Sequence, residues 1–120
     1  MSIGLFPGQG AQHVGMGKDL YENFPVAREV FEEASEAIKF NLKKLCFDGP
    51  ESDLVKTENT QPALVTVSVA AARVAELEHG FLPTLVAGHS LGEYSALVVA
   101  GAIPFPIAVR WVRERGQAMQ

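Results

Sequence analysis

The sequence predicts an α/β fold, rich in helix and carrying two short strands. Three observations carry that prediction. The first is an apolar stretch, Leu85-Val86-Ala87, that runs into Gly88-His89-Ser90-Leu91-Gly92 and then into a helix-forming segment. Strand, Gly-x-Ser-x-Gly turn and helix together form the layout of a nucleophile elbow, where a tight turn pushes a serine out of the backbone. The second is another apolar run, Ile3-Gly4-Leu5-Phe6, stopped by Pro7-Gly8-Gln9-Gly10-Ala11-Gln12, which reads as a buried strand entering a loop. The third is helical spacing of apolar residues through most of the remaining chain.

Taken in order, the strand at Ile3–Phe6 is followed by a loop in which Gly8 and Gly10 permit close backbone approach or positive φ. A dinucleotide fingerprint fails here, because His13 stands where a third glycine is required. A Gly-Lys-Ser/Thr phosphate loop fails as well. Gly15-Met16-Gly17 continues the loop and a short helix covers Lys18 to Asn23. Pro25 suits the first turn of a helix reaching Lys39, with Val26, Val30, Phe31, Ala34 and Ile38 on one face. Its acids, Glu29, Glu32, Glu33 and Glu36, form a solvated face.

Leu42 to Phe47 is a further helix, closed by Asp48-Gly49-Pro50, and Glu51 to Lys56 a helical turn. Thr60-Gln61-Pro62 opens a long apolar stretch ending at Gly80. Alternating Val65, Val67 and Val69 hint at strand, but length, Pro62 near the first helical position and Gly80 past the end favour a buried helix. The second strand and the elbow follow. Leu91 to Ala100 forms the next helix, whose Ser95, Ala96 and Ala100 allow close packing. A last helix runs from Pro104 to Gln120, with Ile107, Val109, Trp111, Val112 and Met119 apolar and Arg110, Arg113 and Arg115 basic, of which Arg110 and Arg113 read as solvated surface.

Composition bounds the rest. The 120 residues make one domain at most, and 48% hydrophobic with 20% charged residues is ordinary for a globular chain. A net charge of −4 gives no footprint for nucleic acid. The single cysteine, Cys46, has no partner and no metal-type spacing, and reads as a small buried apolar residue. No metal site is expected. No signal peptide is visible. The longest apolar run, Ala96 to Val109, is broken by Pro104 and Pro106 and is too short for a bilayer. A cytoplasmic protein that does not engage membrane is expected. His79, near a helix C-terminus, is given no catalytic role, and His13, in the loop after Gln12, is read as a surface residue in preference to one lining the pocket.

Several motifs together resemble one family. Phe6-Pro7-Gly8-Gln9-Gly10-Ala11-Gln12, Gly15-Met16-Gly17, Thr60-Gln61-Pro62-Ala63-Leu64, Gly88 through Leu97, Arg115-Gly116 and Met119-Gln120 are similar, in order and spacing, to the malonyl-CoA:acyl carrier protein transacylases. The related acyltransferase domains of polyketide and fatty acid synthases share most of them. The resemblance implies that residues 1–120 are the N-terminal part of an α/β-hydrolase-like large subdomain with two short parallel strands. It also implies a ping-pong reaction in fatty acid biosynthesis. Ser90 takes the malonyl group from malonyl-CoA and passes it to the phosphopantetheine thiol of acyl carrier protein. The backbone N–H groups of Gln9 and Leu91 would stabilise the oxyanion, and Arg115 would bind the malonyl carboxylate, as its planar fork suits. Gln61 falls in a family motif and would help shape the site. His89 adjoins Ser90, but neighbouring side chains at an elbow diverge, so it is assigned a packing or hydrogen-bonding role. No cofactor is implied, and the partners are coenzyme A thioesters and acyl carrier protein.

The family also has features that these residues do not supply. Its general base is a histidine further along, and a ferredoxin-like small subdomain follows this region. The expectation is therefore a segment with nucleophile, oxyanion donors and carboxylate clamp but no base, inactive alone and marginally stable, with apolar surface exposed. Met1 just before the first strand favours a discrete enzyme over a synthase domain. The alternatives are transfer of another acyl group, as in polyketide synthesis, hydrolysis on the same elbow, and a non-catalytic fragment.

Overall fold

The structure, a computed structural model, describes residues 3–6, 12–79, 85–88 and 92–119. In chain order the elements are β1 (Ile3–Phe6), α1 (Lys18–Asn23), α2 (Pro25–Ile38), α3 (Leu42–Asp48), α4 (Glu51–Leu54), α5 (Thr57–His79), β2 (Leu85–Gly88), α6 (Gly92–Val99) and α7 (Phe105–Met119). The strands pair in parallel, Ile3 opposite Leu85 and Phe6 opposite Gly88. Parallel pairing needs a crossover, and α1 to α5 lie within it.

The core is a layer of three helices, with α5 packed against α2 and α7 and those two against each other. α2 and α7 each offer an apolar stripe. In α2 it is Ala27, Val30, Phe31 and Ala34, and in α7 it is Phe105, Ala108, Val109, Val112 and Gly116, the 3.6-residue spacing of one buried face. Pro25 opens α2 at its first turn, where a missing N–H costs nothing. Lys39 closes it in the left-handed region at φ 54°, its N–H donating to the carbonyls of Ser35 and Glu36. Asn41 caps α3, its side chain accepting the N–H of Lys44 at 3.2 Å.

Two glycines set close approaches. Gly17 has φ +81°, and a Cβ there would lie 2.8 Å from Cζ of Phe31. A Cβ on Gly116 would lie 2.7 Å from Cα of Glu58 and 2.8 Å from the carbonyl oxygen of Thr57. The backbones of α7 and the start of α5 therefore touch directly.

The one substantial departure from expectation is where α5 begins. It starts at Thr57, so Pro62 lies inside the helix. Proline gives up one backbone hydrogen bond there, but side chains secure the turn before it. Asn59 Nδ2 donates to the carbonyl of Asp53 at 2.9 Å, and Thr60 Oγ1 donates to those of Leu54 and Lys56. The carbonyl of Pro62 accepts Thr66 Oγ1 at 2.7 Å. Asn59, Thr60, Gln61 and Thr66 are all buried; for the last two, as for Asn59 and Thr60, burial is tolerated because each makes hydrogen bonds.

Candidate active site

Phe6 and Gly88 end the two strands side by side, so the chain leaves both strands at the same end of the pair. The segments entered from that end contain Gln9 on one side and His89, Ser90 and Leu91 on the other. Those four residues lie outside the described residues. The described structure resumes at Gly92, the first residue of α6, and Tyr94 is half-buried in its opening turn.

Arg115 reaches this turn from α7. Its Cζ lies 5.8 Å from the centroid of the Tyr94 ring, within cation–π range. Its Nη1 donates to Gln61 Oε1 at 3.0 Å, and Gln61 Nε2 donates to the Met119 sulfur at 3.3 Å. Gln61, on α5, is only 1% exposed. The amide orientation follows from its neighbours. A guanidinium can only donate, and a thioether can only accept, so the oxygen must face Arg115 and the nitrogen Met119. The contact of Gly116 with Glu58 brings α7 close enough to α5 for the chain Tyr94–Arg115–Gln61–Met119 to close. Three helices thus bring a cation to the start of α6. A guanidinium is suited by shape and charge to bind a carboxylate through paired N–H donors.

The sequence reading names Arg115 and Gln61, and the structure brings them together. It assigned no role to Tyr94 or Met119, although both stand in the motifs quoted for the resemblance. Their contacts cross from one helix to another and leave no local pattern. Arg113 requires a correction. Read as a solvated cation, it is half-buried, donates Nη1 to Asn59 Oδ1 at 3.2 Å and lies 4.8 Å from the Phe40 ring centroid. Arg110 is exposed, as the sequence suggests, and donates Nε to the carbonyl of Pro106 on its own helix at 3.4 Å.

Cys46 is buried, and burial pushes its thiol up to about 12, which suppresses the thiolate that reactivity requires. His13 is exposed. Among the described residues no group of three or more His, Cys, Asp or Glu side chains could hold a metal ion, and no helix is long and apolar enough to cross a membrane.

Comparison with known proteins places this geometry. The sequence model of a family described as an acyl transferase domain matches residues 4–120. A malonyl CoA-acyl carrier protein transacylase of Bacillus subtilis is 56% identical over 116 residues, which is 97% of this chain and 29% of that protein. The crystal structure of an acyl carrier protein S-malonyltransferase from Vibrio cholerae superposes with a TM-score of 0.94 at 51% identity, covering 98% of this chain and 39% of that one. A chain from the structure of a type II PKS acyl-carrier protein in complex with its malonyl-transacylase gives a TM-score of 0.93 at 52% identity, over 98% of this chain and 38% of that one. The chain spans between 29% and 39% of the length of these relatives.

Proposed function

The chain belongs to the acyl transferase domain family, and on that footing we propose that it forms the nucleophile-bearing, N-terminal part of an α/β-hydrolase-like large subdomain of a malonyl-CoA:acyl carrier protein transacylase. The observation that carries this reading is the placement of Arg115 over Tyr94, in the helix turn that follows Gly88-His89-Ser90-Leu91-Gly92. A guanidinium at that turn suits a thioester whose acyl group ends in a carboxylate.

In the proposed reaction the Ser90 hydroxyl oxygen attacks the thioester carbonyl of malonyl-CoA and gives its proton to a base. The tetrahedral oxyanion is held by the backbone N–H groups of Gln9 and Leu91. Coenzyme A then leaves as its thiol, taking that proton, and malonyl-Ser90 remains. The phosphopantetheine thiol of acyl carrier protein attacks the ester carbonyl next, and Ser90 regains its proton. Every step is acyl transfer between oxygen and sulfur with no net redox change, so no cofactor is needed. His89 is assigned packing or hydrogen bonding rather than proton transfer. The base is assigned to a histidine in the part of the enzyme that these residues do not include, together with a ferredoxin-like small subdomain. The 120 residues alone are therefore expected to be inactive. Fatty acid synthesis is the proposed setting. The type II PKS complex among the structural relatives favours polyketide synthesis as the second reading, with the same chemistry and a different carrier protein.

The deciding experiment is intact-mass analysis after incubation with malonyl-CoA, using the protein extended to its relatives' full length. A malonyl adduct should form, be absent in Ser90→Ala, and be discharged by holo acyl carrier protein. Failure of the full-length protein to acquire the adduct overturns the reading.

A further inference from the structure

We infer that Gly15-Met16-Gly17 is a positioning element for the reaction, a pinned pair of turns that fixes the far end of the segment carrying Gln9. The inference rests on the reading of the Gln9 backbone N–H as an oxyanion donor and deepens it. It assigns the alignment of that donor to a motif six residues further along the chain.

Residues 13–18 form two overlapping turns. Met16 N–H donates to the His13 carbonyl at 3.1 Å, and Lys18 N–H donates to that of Gly15 at 3.2 Å. Three contacts tie these turns to the helices. Gly15 N–H donates to the Cys46 carbonyl, in the last turn of α3, at 2.7 Å. That carbonyl has no helical donor, because the residue four positions on is Pro50, which lacks an N–H. The Met16 side chain is buried in the hydrophobic core. Gly17 lies against α2 and α5, where a Cβ would come 2.8 Å from Phe31 Cζ and 3.2 Å from Val67 Cγ2.

A connection that only reverses the chain runs over the surface and needs neither a side chain in the core nor a bond to another helix. These turns have both, directly after the segment that contains Gln9. Gln9 lies three residues beyond Phe6 and six before Gly15. Phe6 is held by its parallel pairing with Gly88. The strand pair therefore holds the segment at one end and the pinned turns hold it at the other, and the ends of a short segment limit where its middle can lie. That control matters to a backbone donor. An oxyanion hole works by having its N–H groups in place before the charge develops, and a misplacement of about 1 Å costs on the order of a hundredfold in rate.

The test is single-turnover acylation of Ser90 by malonyl-CoA in the full-length protein. Saturated rate and half-saturation concentration are read separately, well below each variant's unfolding midpoint. Two glycines supply a matched pair. Gly15 has φ +96° and Gly101 φ +82°, and a Cβ at either would meet nothing within 4 Å. Alanine therefore brings the same kind of backbone strain to both and no clash to either. Gly101 stands past the C-terminal end of α6, away from its opening turn. Gly15→Ala should lower the saturated rate about tenfold or more and leave the half-saturation concentration unchanged, while Gly101→Ala stays within about twofold of wild type. Met16→Ala, which withdraws the side chain from the core, should act as Gly15→Ala does, and Met16→Leu, close in volume, should keep the wild-type rate. A merely structural role would slow Gly101→Ala as much as Gly15→Ala. That pattern, a wild-type rate in Gly15→Ala or Met16→Ala, or a loss confined to the half-saturation concentration overturns the inference. Failure of the underlying reading looks different: Gln9→Pro, which removes the backbone N–H, would then acylate at the wild-type rate, whatever stands at 15 and 16.

Discussion

Arg113 and Arg115 stand two residues apart on α7 and are built alike. Each donates Nη1 to an amide oxygen on α5, at 3.2 Å for Asn59 and 3.0 Å for Gln61, and each lies by an aromatic ring, Phe40 at 4.8 Å and Tyr94 at 5.8 Å. What lies beyond each amide differs. Asn59 Nδ2 donates to the backbone carbonyl of Asp53 in α4, so the Arg113 set ties α7 and α5 to α4. Gln61 Nε2 donates to Met119 in the last turn of α7, so the Arg115 set closes back on its own helix and faces α6. The comparison teaches that a guanidinium, an amide and a ring do not define a role. One set fastens elements together, and the other presents a cation to the opening turn of α6.

The most damaging change should break both sets at once. Gly116 lies beside Arg115, and a Cβ there would meet three backbone atoms of Thr57 and Glu58 at 2.7 to 2.9 Å. Backbone cannot swing aside as a side chain can, so α7 must move away from α5. Gly116→Ala is expected to cost about 3 kcal/mol, at the upper end of overpacking effects, read as a lower denaturation midpoint. A midpoint within error of wild type would show that the two helices can separate freely.

Arg115→Leu and Arg113→Leu separate the two roles. On the proposed reading Arg115→Leu removes the carboxylate partner. The malonyl-over-acetyl ratio of Ser90 acylation in the full-length protein should fall roughly a hundredfold, about 2.7 kcal/mol. Arg113→Leu should leave that ratio unchanged and lower the unfolding midpoint instead. Equal ratios for the two variants would erase the distinction. A smaller effect tests the fastening set from its other side. Asn59→Leu keeps the volume but leaves Arg113 and the Asp53 carbonyl without this partner, at about 1 kcal/mol, seen in chemical denaturation with no change in selectivity.

How far these sets were legible in the sequence follows from their reach. The apolar stripes of α2 and α7 repeat every three to four residues, and periodicity finds them. The opening turn of α5 does not announce itself, because Asn59, Thr60 and Gln61 are polar and yet buried. They satisfy their hydrogen bonds with groups on α4, α7 and the intervening loop, which a hydrophobic pattern cannot register. Pro62 compounds this by looking like a helix start. Arg115 and Gln61 were legible only as parts of separate motifs, since 54 positions divide the donor from the acceptor. Arg113 was misread for the same reason, its ring and its amide both lying outside its own helix. Gln9, His89, Ser90 and Leu91, the remaining residues proposed for the site, rest on the sequence and on the strand register that pairs Phe6 with Gly88.

The smallest expected effect sharpens the comparison by contrast with a third cation. Asn59 and Gln61 are neutral amides, so neither of their hydrogen bonds to arginine joins opposite charges. The cluster joining α1, α2 and α3 is different. Tyr21 donates its hydroxyl to Glu32 at 2.8 Å, and Lys43 donates to both the Tyr21 oxygen and Glu32 at 3.2 Å. The Tyr21 hydrogen bond, then that of Lys43, holds the Glu32 carboxyl below its usual value, while Tyr21 and then Glu32 hold the Lys43 ammonium above its own. The signs follow by linkage. Glu32 contributes fully above the ordinary glutamate value and loses that contribution as pH falls through its lowered one. Lys43 contributes fully below the ordinary lysine value and loses it as pH rises through its raised one. Stability from this cluster should therefore be level through neutrality and decline only at the two extremes. The decline should be slight, because the Glu32 side chain is 59% exposed and solvent screens such pairs. Denaturation midpoints of wild type and Glu32→Gln compared across pH would show it: the variant should lose part of the acid decline, with both arginine sets untouched. Identical acid limbs would remove Glu32 as a contributor.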